Sequence, residues 1–283
     1  MPNFPIIDTH IHLWDPNKLE YSWLADAPIL NKVYALDEYS KASEGIPVEK
    51  IVFVQCECNP AQSEDEAAWV THLAEKDDRI QGIVAQAPLE MGEGAKDILE
   101  RYSKNKLIKG VRRLIQSEAD LEFCIQPNFV KGVQLLSEYN FSFDICIVHN
   151  QLENTIKLVE QCPDTQFILD HIGKPDIKAQ LLEPWKTQIK ELSQFSNVSC
   201  KLSGLVTEAD MDNWTKEDLK PYIDHILNCF GTDKIMFGGD WPVSIQATTY
   251  KKWVETVDWA LRDLSEEDQK KIYYQNAKGF YGL

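Results

Sequence analysis

The chain has 283 residues, of which 43% are hydrophobic and 26% charged, a globular balance that excludes disorder and suffices for a full core. Its 45 acidic and 29 basic residues leave a net charge of −16, which works against non-specific binding to nucleic acid or an anionic membrane, since both need clustered basic residues. No run approaches the roughly 18 apolar residues of a membrane span; seven irregularly spaced cysteines and a start without leader character, Met1-Pro2-Asn3-Phe4-Pro5, predict a reduced, cytoplasmic protein.

Nearly continuous β-branched and apolar runs predict strands at Pro5–His10, Ile51–Gln55, Ile80–Gln86, Ile108–Arg112, Phe141–Ile147, Gln166–His171, Val198–Leu202 and Lys234–Phe237. Between the first two lies a long connection, residues 11–50, carrying Trp14, Tyr21, Trp23, Tyr34 and Tyr39. Such a loop reads as a lid or a binding element. Ser63-Glu64-Asp65-Glu66 reads as a capping box opening a helix through Glu75. Amphipathic stretches follow at Asn128–Tyr139, Gln151–Cys162 and Pro184–Phe195. Thr215-Lys216-Glu217-Asp218 and Ser265-Glu266-Glu267-Asp268 mark two further helix starts.

Strands start about 25–45 residues apart, near the length of one βαβ unit, and no composition break divides residues 1–283. The pattern predicts a single α/β domain, a (β/α)8 TIM barrel. A doubly wound sheet is the competitor, disfavoured because no G-x-G-x-x-G follows a strand.

In a barrel the chemistry lies at the C-terminal ends of the strands, and polar residues collect there. The first strand ends Asp8-Thr9-His10-Ile11-His12; alternation turns His10 and His12 to one side, a spacing that lets two imidazoles grip one divalent ion. Later strands run into Gln55-Cys56-Glu57, Arg112-Arg113, Asp144 with His149 beyond it, Asp170-His171, Lys201 and Gly239-Asp240-Trp241. Each has a bland reading. Asp170 and Asp240 serve equally as turn residues, Arg112 and Arg113 as an ordinary ion pair, and Lys201 as a satisfied buried lysine. The coincidence of His10, His12, His171 and Asp240 at one end of strands one, six and eight is what points to catalysis. His72 and His225 read as a solvated and a structural histidine. Cys56-x-Cys58 lacks the second pair of a zinc site, and Glu64–Glu66 suits a helix dipole better than a metal. No role is assigned to Glu57 or His149.

These segments resemble the amidohydrolase superfamily, in particular its amidohydrolase-related sugar-lactone hydrolases, which are fuconolactonase- and rhamnonolactonase-like and have pyrone-dicarboxylate lactonase as a relative. The matching stretches are Ile7–Pro16, Lys109–Arg113, Ile168–Pro175, Lys201–Leu205, Phe237–Val243 and Asn276–Tyr281, so the resemblance spans almost the whole chain. It implies a distorted (β/α)8 barrel of the metal-dependent-hydrolase type, with His10 and His12 as first-strand metal or substrate ligands. It makes His171 the sixth-strand histidine and Asp240 the eighth-strand acid–base residue. Binuclear members carry a lysine or glutamate ending strand four and a histidine ending strand five. This chain has Arg112 and Arg113, then Asp144, so one divalent ion (zinc or manganese) or a metal-free site is implied instead of two ions.

The expected reaction is opening of a sugar-acid lactone by water. Asp240 would exchange the proton, and His171 and Arg112 would steady the oxyanion. Lys201, Gln55, Asp144, Trp14, Trp23 and Trp241 are the candidate contacts to the small-molecule substrate, a lactone or sugar acid. Two alternatives stay open: a metal-dependent decarboxylase of an aromatic or muconate-type acid, and a non-catalytic small-molecule-binding barrel.

Overall fold

Eight strands alternate with helices from one end of the chain to the other in a computed structural model that describes residues 1–283. The strands are β1 (Ile6–Ile11), β2 (Val48–Val54), β3 (Ile80–Ala85), β4 (Ile108–Val111), β5 (Ser142–Ile145), β6 (Phe167–Leu169), β7 (Val198–Leu202) and β8 (Ile235–Phe237). All pairs are parallel and adjacent in chain order, which is TIM-barrel topology and not the doubly wound order. The helices after them are α1 (Leu36–Ala42), α2 (Ser63–Ala74), α3 (Lys96–Tyr102), α4 (Pro127–Leu135), α5 (Leu152–Gln161), α6 (Trp185–Leu192), α7 (Lys216–Phe230) and α8 (Tyr250–Leu261). Two short helices, α9 (Glu266–Lys270) and α10 (Asn276–Tyr281), follow the last strand.

Most strands start or stop a residue or two from the sequence expectation, and two boundaries differ for identifiable reasons. β2 begins at Val48 because Glu49, though exposed, sits in the strand; an apolar run starting at Ile51 hides that start. The first connection is accordingly shorter and holds α1. Its aromatics are mostly core: Trp14, Tyr21, Tyr34 and Tyr39 are buried, and Trp14 bridges to Tyr34. Ser63 is also not a cap. Asn59 caps a 3-10 turn at Pro60–Gln62, accepting from the Ala61 N–H, and the helix continues from that turn. Thr215 and Ser265, by contrast, accept the N–H three residues on, as their sequence predicts.

The barrel closes between its first and last strands. Asp240 N–H donates to the His10 carbonyl and His12 N–H to the Trp241 carbonyl, each at 2.7 Å. Inside, Ile7, Val52, Val54, Val84, Ile168 and Met236 form an apolar floor on which Ala277 and Tyr281 of α10 pack. The larger core lies between strands and outer helices, where Phe53, Phe143 and Phe167 are fully buried.

Candidate active site

The first polar layer comes from an irregularity in β1. Asp8 pairs with Ile51 but Ile11 with Phe53, so three steps on β1 face two on β2. A bulge of this kind shifts the alternation by one. Asp8 therefore points to the outer helices, where Tyr39 and Tyr250 hydroxyls donate to its Oδ2 at 3.1 and 2.8 Å. His10 and Gly239 N–H groups donate to its Oδ1, which ties β1 to the turn after β8. Burial pushes this carboxyl up to about 6 in spite of its four donors. Gly239 has to be glycine here, since a Cβ would lie 2.5 Å from Asp8 Oδ2 and 2.4 Å from the Tyr250 ring. Beyond the bulge, His10 and His12 turn inward together, as their spacing predicts.

Beneath His10 lies a buried ion network of four charges. Lys201 Nζ contacts Asp170 Oδ1 at 3.1 Å and pairs with Asp144. Arg112 Nη1 contacts Asp170 Oδ2 at 3.2 Å, and its Nη2 donates to the Gln55 carbonyl at 2.6 Å. Two cations balance two anions. Burial pushes Asp170 up, but Lys201, His10 and Arg112 outweigh it and hold its carboxyl well below the usual range. Asp170 is thus no mere turn residue: its Oδ1 also faces His10 Nδ1 at 3.3 Å, which favours the proton there and an unprotonated Nε2, with Arg112 Nη1 3.4 Å from that Nε2.

His12 is set the same way. Its Nδ1 donates to the Val54 carbonyl at 2.7 Å, and burial keeps the ring neutral, with its pKa lowered. His171 Nδ1 meets Ser203 Oγ at 2.9 Å, and burial holds its pKa well below the ordinary histidine value. Gly204, with φ 65°, leaves room for that ring, because a Cβ there would meet His171 Nδ1 at 2.3 Å. His171 and Asp240 themselves have φ 52°, a left-handed backbone that costs roughly 1–2 kcal/mol per residue without glycine.

The three Nε2 atoms converge on Asp240. Oδ1 lies 3.8 Å from His10, 3.5 Å from His12 and 3.9 Å from His171, and the His10 and His12 Nε2 atoms are 3.2 Å apart. Burial raises the Asp240 carboxyl, but His171, His12 and Lys174 prevail and hold it below the ordinary carboxylate range, so it is ionised at neutral pH. Two bare imidazole nitrogens and a carboxylate oxygen are the donors of a catalytic zinc site. A tetrahedral ion with bonds of about 2.0–2.1 Å needs ligands about 3.3–3.4 Å apart. The observed 3.2, 3.5 and 3.8 Å fit it with small shifts. The second group of donors, His10, Asp170 and His171, does not fit a further ion, since Lys201 and Arg112 already occupy Asp170.

Above this cluster opens a cavity of about 230 Å³, lined by His12, Arg112, His171, Asp240, Trp14 and Trp23 among the expected residues. It also holds Glu57, Lys174, Gln116, Ser117, Cys56, Cys146, Leu114 and Val243. Lys201, Asp144, Gln55 and Trp241 do not line it. The first two are locked in the ion network, Trp241 packs against Tyr34 and Tyr39 at 5.5 and 5.3 Å, and Gln55 Oε1 accepts the Glu57 N–H. Lys174, 3.6 Å from Glu208, was reachable from the sequence, since it stands three residues after His171. His149 only reaches the Lys174 carbonyl, at 3.3 Å. Arg113 pairs with Glu90 and Glu118, and Glu66 is buried against the Cys56 N–H, a contact that a dipole argument misses.

The amidohydrolase family matches residues 7–283. An L-fucono-1,5-lactonase from Burkholderia multivorans is 29% identical over 289 residues, covering 98% of this chain and 96% of that enzyme. An L-rhamnono-gamma-lactonase from Scheffersomyces stipitis is 23% identical over the full length of both. A solved amidohydrolase from Burkholderia multivorans with bound zinc is similar to this structure with a TM-score of 0.89. It is 27% identical, covering 99% of this chain and all of that one.

Proposed function

The chain belongs to the amidohydrolase family, and on that premise we propose that it is a hydrolase opening a small sugar-acid lactone. The observation that carries this reading is the ionised Asp240 carboxylate held within 3.9 Å of three neutral imidazoles on the floor of a small cavity. The fuconolactonase and rhamnonolactonase relatives supply the substrate class.

Asp240 Oδ1 faces the imidazoles, so Oδ2 is the oxygen that takes a proton from water. Water adds to the lactone carbonyl, Asp240 returns the proton to the departing ring oxygen, and a hydroxy acid leaves. His10, His12 and Asp240 would hold one divalent ion, zinc or manganese, which when bound supplies Lewis-acid polarisation and a lower pKa for a bound water. Arg112, kept charged by its acidic neighbours against the opposing effect of burial, steadies the negative charge that develops on the carbonyl oxygen. Trp23 offers an apolar face to the ring, and the fully buried Trp14 packs edge-on against Trp23 at 5.3 Å and keeps it in place.

The test is a pH-indicator assay on a panel of aldonolactones, with and without chelator. Turnover well above the spontaneous rate is expected, lowered by chelation and restored by zinc or manganese. A flat panel withdraws the lactone reading. Asp240→Asn should cost about 10²–10⁴-fold in kcat with an unchanged circular dichroism spectrum. Near-normal activity in that variant withdraws the general-base assignment.

A further inference from the structure

Just past β2 the chain spends conformational energy to hold one carboxylate still. Glu57 has φ 54°, a left-handed backbone without glycine to relieve it. The backbone on either side of it is tied down. Arg112 donates to the Gln55 carbonyl at 2.6 Å, and Gln55 Oε1 accepts the Glu57 N–H at 2.6 Å. Glu66 accepts the Cys56 N–H at 3.2 Å, and Trp23 Nε1 donates to the Cys56 carbonyl at 2.8 Å. The side chain on this mount lies in the wall of the cavity that contains His12, His171 and Asp240.

Its Oε2 is buried and has no hydrogen-bond partner. A buried acceptor left unpaired is costly and calls for a donor. Arg113 is committed to Glu90 and Glu118, and the Arg112 Nη atoms to Asp170 and the Gln55 carbonyl, while the Gln55 amide, its Nε2 unpartnered, stands beside this carboxylate. Any further donor to the carboxylate has to come from a ligand in the cavity. Hydroxyl groups on a neutral ring supply one and gain a charge-assisted bond. A carboxylate on the ring supplies none: Arg112 and Lys174 in the same cavity could pair with it, but beside Glu57 it meets like charge.

We propose that Glu57 determines the specificity of this site: its carboxylate accepts hydrogen bonds from substrate hydroxyls, selecting polyhydroxylated neutral lactones over lactones that carry a carboxylate. The proposal rests on the lactone-hydrolase reading above for the substrate's ring, while the pairing of Glu57 with hydroxyls stands on the cavity alone.

Non-hydrolysable 1,5-anhydrohexitols of several configurations, and tetrahydropyran without hydroxyls, serve as probes. Their binding is followed by NMR titration to the wild-type protein, Glu57→Gln and Glu57→Ala, with melting curves to establish folding. Glu57→Gln keeps the size of the side chain and removes its charge, so it carries the test should the alanine variant not fold. At least one anhydrohexitol should bind the wild type, with a Kd that rises about tenfold or more in Glu57→Gln. Equal affinity in wild type and variant overturns the proposal, as does a wild type that binds none of the hexitols or binds tetrahydropyran equally well. Turnover is then compared on a polyhydroxylated and a carboxylated lactone. In Glu57→Gln the preference for the first should shrink about tenfold through KM, a selective change that a merely structural role would not produce. A hexitol bound through Glu57 without turnover of any lactone sinks the hydrolase reading and leaves the Glu57 assignment standing. Turnover with an unchanged preference does the reverse.

Discussion

Lys201 has no contact with the cavity, yet it holds the site from below. Its ammonium lies between Asp144 and Asp170, and 3.4 Å from His10 Nδ1. Lys201→Met leaves two buried carboxylates sharing the single charge of Arg112. The expected loss is about 3–5 kcal/mol of unfolding free energy in urea, the usual consequence of breaking a buried pair from one side. A loss of activity with unchanged stability would instead mean that Lys201 reaches the substrate. Glu66 offers a separate test through pH. Burial pushes its carboxyl from 4.5 up to about 7 against the pull of the Cys56 N–H. The folded protein therefore keeps a proton that the unfolded chain releases near pH 4.5, so stability falls as pH climbs from about 4.5 to about 7. Glu66→Gln removes that contribution and keeps an acceptor for the Cys56 N–H. Its stability relative to wild type should rise by roughly 2–4 kcal/mol between pH 4 and pH 8. Urea midpoints for both proteins at the two pH values measure this, and a constant difference would reject it.

Elements differ in how plainly their sequences announce them. Thr215 is a true cap: its hydroxyl accepts the Asp218 N–H, and Asp218 accepts the Thr215 N–H in return at 2.8 Å. Thr215→Ala should cost about 1 kcal/mol in urea unfolding and leave turnover unaffected. Ser63, with the same pattern of residues, caps nothing, because Asn59 starts the turn earlier. The strands were legible because burial on both faces demands unbroken apolar runs, and the pairing of His10 with His12 followed from alternation. The bulge was not legible. It lies in the register between β1 and β2, which are far apart in sequence, and it sends Asp8 outward although Asp8 shares the parity of both histidines. Trp241 illustrates the same limit. It follows a site residue directly in sequence, but backbone direction buries its ring among Tyr34 and Tyr39. Glu57 carried no local signal, since its meaning lies in a left-handed backbone and an unpaired oxygen that only three dimensions reveal.

Across the whole molecule, polarity is stacked by depth. An apolar floor with Tyr281 lies at one end of the barrel, the four-charge network above it, and the imidazoles with Asp240 at the mouth. No helix is long and apolar enough to cross a membrane, as the sequence predicts. The seam adds a matter of timing. His10 and His12 are translated about 230 residues before Asp240, and the two backbone bonds that join them also complete the ring of strands. A nascent chain thus carries half of this cluster until its eighth strand has been made. The cluster and the closed ring appear in the same event, so His10, His12 and Asp240 meet only in a chain whose barrel has formed.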